Sequence, residues 1–182
     1  MKPTAFHRAW LIVATTLIAA CADSTNSPRF APAAPSLTTV NLGTCSDLAA
    51  SGELTFHAYA AGVQIYRWTG TAWDFVAPRA TLYADAQRSA IVGSHYAGPR
   101  WESVSGSTVN GAVAKRCTPN SNAIAWLLLD ATSSAGPGVL DGVTQIQRVN
   151  TVGGVAPSAP GAVVGDIAEV PYTAEYFFYR GE

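Results

Sequence analysis

Charge is what this 182-residue chain has least of. Only 13% of its residues are Asp, Glu, Lys or Arg, against 48% hydrophobic. That balance excludes a disordered chain, which needs low hydrophobicity and high net charge. Basic residues are too few and too scattered for nucleic acid. Lys115-Arg116 is the one basic pair past the first 20 residues, whereas a nucleic-acid surface needs a basic stripe to neutralise phosphates. Cys-x-x-Cys is absent, which removes zinc-ribbon and thioredoxin-type redox sites. No G-x-G-x-x-G follows a strand and no βαβ alternation is present, which removes a dinucleotide fold. The G-x-S-x-G elbow of a serine hydrolase is also missing. No segment keeps a helical period, and no internal repeat is visible.

Most of what is present is aromatic and β-branched. Five Trp, seven Tyr and six Phe suit pleated, half-buried strand surfaces. The beginning of the chain reads as an address. Lys2, His7 and Arg8 precede an uncharged run, Ala9 to Ala20, the pattern of a secretory signal. The run is too short to span a bilayer, which takes about 20 apolar residues. Leu17-Ile18-Ala19-Ala20-Cys21 is similar to a bacterial lipobox. In that motif the cysteine is acylated and becomes the first residue, and several acyl chains hold where one binds only marginally. Ala22 rather than Asp after the cysteine suits the outer membrane, by resemblance to Gram-negative lipoproteins. If Cys21 is not lipidated, ordinary cleavage at the A-x-A match Ala20-Cys21-Ala22 yields a secreted protein. Three segments follow: 1–20 a signal peptide, 21–44 a lipidated Cys and a Ser/Thr/Pro/Ala-rich tether, and 45–182 one domain. Without residues 1–20 the chain has nine basic and twelve acidic side chains, a net charge of −3. With Cys21 assigned to lipid, Cys45 and Cys117 remain as an even pair in an oxidising compartment, and a disulfide between them is expected.

Strand signals fill the domain: Leu54–Tyr59, Gly62–Trp68, Thr71–Val76, Thr81–Tyr83, Ser89–Tyr96, Trp101–Val104, Thr108–Arg116, Ala123–Ala131, Val143–Val152 and Pro171–Arg180. Thr69-Gly70 marks a hairpin, Pro78 an interruption, and Ser133 to Gly138 a cluster of breakers. The apolar run around Trp126-Leu127-Leu128-Leu129 reads as the buried central strand. Short strands at this spacing predict an all-β fold, an antiparallel β-barrel or β-sandwich. Along Val143–Val152, strict alternation places Arg148 and Asn150 on one face.

Several ordered segments then carry a resemblance: GVQIY (62–66), APRATLY (77–83), VGSHYAGPRWE (92–102), AIAWLLL (123–129), GVTQIQRVNTVGGVAP (142–157) and VPYTAEYFFYR (170–180). Together they resemble domain-of-unknown-function family 3455, over about Cys45 to Arg180. The resemblance implies an exported β-rich domain found in bacteria and fungi, with no established activity. Some fungal members carry a malate dehydrogenase label, which nothing in this sequence supports. The family often has Cys where this chain has Trp68, and another near Ala162; their joint absence fits the loss of a whole disulfide.

The densest collection of chemically capable side chains is Ile91 to Glu102. It sets His95 and Tyr96 before a Gly98-Pro99 turn and Arg100, Trp101 and Glu102 after it. Three readings follow. In the first, Tyr66, Trp68, Trp101, Tyr172 and Tyr176, with Arg148 and Gln147, line a groove for a small molecule, a glycan or an envelope protein. In the second, His95, Glu102 and Arg148 centre a hydrolytic or metal-assisted enzyme, with Asp85 or His57 completing a metal set. In the third, His95 and Tyr96 bond turn backbone, while Arg148 and Asn150 belong to an internal network with Glu102 or Glu175. A binding module of the cell envelope, held at the membrane by its lipid and free of cofactors, is the reading carried forward. His57 inside a strand is expected to be structural.

Overall fold

The computed structural model describes residues 40–181. The signal peptide, Cys21 and all but the last residues of the tether lie outside the described residues. A short 3-10 turn, Gly43–Leu48, precedes eight strands: β1 Glu53–Trp68, β2 Trp73–Tyr83, β3 Ile91–Tyr96, β4 Arg100–Ser103, β5 Thr108–Cys117, β6 Trp126–Ala135, β7 Val143–Gly153 and β8 Ile167–Arg180. Each strand pairs antiparallel with the next, and β8 returns to pair with β1. The expected all-β fold is therefore an up-and-down barrel. Closure removes the unpaired edges that an open sheet would expose.

Alternation along each strand sends one set of side chains inward. Phe56, Ala58 and Ala60 of β1, Leu82 of β2, Val109 of β5, Ile146 of β7 and Phe178 of β8 fill one end. Leu140, in the β6–β7 connection, plugs that end, where its amide donates to Ser107 Oγ. At the other end lie the β1–β2, β3–β4, β5–β6 and β7–β8 connections. There the barrel is open.

Several boundaries differ from expectation. Leu54–Tyr59 and Gly62–Trp68 form one 16-residue strand, because β2 and β8 pair with β1 on either side across Ala60-Ala61-Gly62. β2 continues through Pro78; β3 pairs only with Ala80–Tyr83, so the rest of β2 has a free edge on that side, where proline is tolerated. β6 runs through Ser133 and Ser134 to Ala135, since β5 supplies partners from Cys117 to Thr108.

In the apolar run, Leu127 and Leu129 enter the barrel core, burying about 1.5–3 kcal/mol each. Trp126 does not. It lies on the outer wall with Leu128, Cys45 and Leu48, half-buried under the N-terminal turn.

That turn is held by a disulfide between Cys45 and Cys117, with Cα atoms 5.7 Å apart. Gln147 of β7 points outward and donates to Leu48 O at 2.6 Å, fastening the same segment.

Cys45→Ser should lower stability under oxidising conditions by roughly 4 kcal/mol, the chain-entropy value for a loop of this length (72 residues of separation). Urea unfolding with and without reductant checks it. An unchanged midpoint would contradict the cross-link.

Candidate functional site

The open end leads into a cavity of about 700 Å³. Its floor is aromatic. His95 of β3 and Trp101 of β4 are direct cross-strand partners and stack with centroids 4.4 Å apart, and Tyr176 of β8 closes against both. Its walls include Leu127, Leu129, Ile124, Val113 and Phe75. Volume and lining match a small-molecule site, concave and mostly apolar with a few fixed polar groups. The β3–β4 hairpin is short, and beside it the cavity is bordered by Phe75, Val76 and Pro78 from the free half of β2 and by the cis Gly98–Pro99 turn.

The polar groups are mostly donors. Arg148 reaches in from β7; its Nε and Nη2 both donate to Ala125 O, at 3.1 and 2.8 Å. This leaves the remainder of a guanidinium that offers five N–H donors. Gln64 of β1 is 2% exposed, and its Nε2 has no hydrogen-bond partner. Trp101 Nε1 is likewise buried and unpartnered. No Asp or Glu lines the cavity, and among the described residues no carboxylate pairs with Arg148.

His95 is buried at 2% exposure, and its Nδ1–H donates to Arg100 O at 2.9 Å. Its Nε2 is then an acceptor. Burial, with the Arg148 charge adding and the Arg100 bond opposing, drives its pKa down to about 3. The imidazole is neutral at ordinary pH.

The cavity unites some of the expected site residues and separates others. His95, Trp101, Arg148, Tyr66 and Tyr176 converge. Glu102 does not: it pairs across from Ser94 on the outer face, where it accepts from the Tyr96 hydroxyl at 2.6 Å. The centre His95/Glu102/Arg148 is therefore not assembled, because adjacent residues on a strand face opposite sides. Asn150 also leaves the set. It has φ +50° at an irregularity in the β7–β8 register, which breaks the alternation, and it donates outward to Glu175 Oε1. Arg148 takes a backbone carbonyl rather than Glu102 or Glu175. Gln147, expected in the groove, faces the outer wall and accepts from the Tyr179 hydroxyl. Trp68 and Tyr172, also expected in the groove, lie outside the cavity lining.

A second cluster sits on the outer face. His57 Nε2–H donates to Glu175 at 2.9 Å and stacks on Phe177, 4.0 Å between centroids. That bond is the main cause holding the Glu175 carboxyl below its usual range, with burial opposing and Asn150 assisting. Among the described residues, no three His, Cys, Asp or Glu side chains are gathered so as to hold a metal ion.

Sequence reading missed Gln64. An amide two residues before Tyr66, at an inward position of a strand, was the available signal.

The loop between β7 and β8 borders the mouth through Val155 and Ala156. Tyr66 donates its hydroxyl to Gly154 O at 2.6 Å, and Trp73 Nε1 donates to Ala159 O at 2.9 Å. A side chain on Gly154, at φ +79°, would strike Tyr172, Ile124 and Gln64; one on Gly161 would strike the Trp68 ring. Trp68 therefore packs against Gly161.

A neutral buried histidine makes stability pH-dependent. Below its ordinary value of 6.5 the unfolded chain takes up a proton that folded His95 refuses until about pH 3. Stability should therefore fall as pH drops from 6.5 towards 3, by up to about 1.4 kcal/mol per unit from this group. His95→Gln should lack that increment in urea titrations at several pH values; equal slopes in both proteins would contradict the assignment.

A family model described as protein of unknown function (DUF3455) matches residues 49–180, all eight strands. No curated protein and no solved structure matches the chain.

Proposed function

The chain belongs to the DUF3455 family, proteins of unknown function, and we propose that it is a small-molecule binding module of the cell envelope. One observation carries the reading: the barrel interior is filled at one end and left open at the other, as a cavity of about 700 Å³ with mostly apolar walls and the Arg148 guanidinium, which no carboxylate of the described residues meets. A preformed apolar cavity with a few fixed polar groups is how small-molecule sites are built. Catalysis is less well supported. Burial, which takes the His95 pKa down to about 3, makes it a weak base, and no carboxylate of the described residues faces it within the cavity.

The binding reading is tested with a neutral apolar fluorophore such as N-phenyl-1-naphthylamine. It should bind the purified protein with an emission increase at about one site per chain. Val113→Trp, placed on the cavity wall at a half-exposed position, should weaken binding at least tenfold while the melting temperature holds. No binding by the unaltered protein would sink the proposal.

Location rests on the lipobox-like Leu17–Cys21 and the signal-like run before it. The module would be anchored in the bacterial envelope, at the outer membrane, through acylated Cys21. Cys21→Ala should move the protein from the membrane fraction to the soluble one. Retention after an alkaline wash would rule the lipid anchor out and leave another membrane attachment.

A further inference from the structure

We infer that the cavity selects an organic monocarboxylate: an apolar chain or ring bearing one carboxylate, which Arg148 receives. The inference rests on the binding reading and adds the ligand's chemical class. Arg148 is a permanent cation whose partner in the protein is a neutral carbonyl, and the cavity holds no acid to balance it. A guanidinium in an apolar-walled site attracts an anion more strongly than it would in water. The donors around it have the same polarity. Gln64 lines the same cavity, and the Tyr176 hydroxyl lies beside Arg148. The guanidinium has already committed two nitrogens to Ala125 O, so the donors left suit the two oxygens of a carboxylate. A phosphate dianion would need more. The lining's other cation, Arg116, is exposed; the walls of Leu127, Leu129, Ile124 and Phe75 cannot solvate a second charge, and among the described residues no helix N-terminus opens into the site. The same walls, with Tyr176 and the stacked His95–Trp101 pair beneath, suit the apolar body of the ligand.

The test uses three probes of equal chain length, decanoate, decan-1-ol and decyl phosphate, each displacing the neutral fluorophore from the purified protein. Decanoate should bind at least tenfold tighter than decanol and also tighter than decyl phosphate. Arg148→Met keeps an unbranched apolar stem and removes the charge. It should bring decanoate within about threefold of decanol, and retained decanol binding shows that the variant is folded. Should Arg148→Met fail to fold, the three-probe ranking on the unaltered protein still decides. Decanol binding as well as decanoate would overturn the carboxylate assignment and leave the binding reading standing. Preference for decyl phosphate would overturn it too. If Arg148→Met keeps the full preference for decanoate, the role given to Arg148 is wrong. Failure of all three probes and of the fluorophore would overturn the binding reading itself.

Discussion

The pairing of β8 with β1 is the constraint on which everything else in this structure depends. It runs from Glu53↔Arg180 to Arg67↔Ile167, the full length of both strands, and turns a meander into a closed wall. Once the wall is closed, period-two geometry decides what lies inside. Phe56 and Phe178 meet at one level, 5.5 Å apart. Ala58 pairs across from Tyr176 one step higher, and Gly62 from Tyr172 above that. Large rings facing small residues fill the lower barrel, while towards the mouth Gln64, Tyr66 and Arg148 leave space between them. An eight-stranded barrel is just wide enough to be filled by its own side chains or to hold one small ligand. This one is filled at one end and keeps a cavity at the other.

The electrostatics of the interior follow from that partition. His95 and Arg148 share a poorly solvated volume, and the chain resolves the conflict by keeping the imidazole neutral and the guanidinium charged. Three carboxylates that could have neutralised the arginine pair elsewhere: Glu102 with Tyr96, Glu175 with His57 and Asn150, and Glu169 with Arg79. The interior is thus electropositive in a protein whose domain sequence is slightly acidic overall. Net charge, dominated by the outside of the barrel, carries no trace of it.

Much of this was legible in the sequence. Turn residues between aromatic strands foretold the all-β fold, and the pairing of Cys45 with Cys117 followed from their number once Cys21 was set apart. His95, Trp101, Arg148, Tyr66 and Tyr176 were all singled out, and they do converge. What misled was strict alternation. It joined Asn150 to Arg148 because the positive φ at Asn150 leaves no mark in a one-residue window, and proximity in sequence joined Glu102 to His95 although their strands turn them to opposite sides. Trp126 was assigned to the core by hydropathy, yet the wall it covers is the outer one, under a short N-terminal turn whose docking only the disulfide reveals. Pro78 and the Ser133-Ser134 pair were read as breaks because local propensity is blind to strands that hold a segment from either side.

The disulfide has a mechanical meaning as well. Cys117 ends β5 beside the mouth, so the chain that precedes Cys45 is welded to the rim of the barrel before it descends the outer wall to begin β1 at the closed end. A pull applied along the N-terminal segment passes through sulfur into β5. The residues from Ser46 to Gly52 stay slack, and the β1–β8 seam feels none of the tension directly. Reduce the bond and the same pull would peel Leu48 from Gln147 and arrive at the first residue of β1, the end from which a ladder unzips one pair at a time. Tension applied to the N-terminal segment would then bear on the seam that closes the barrel.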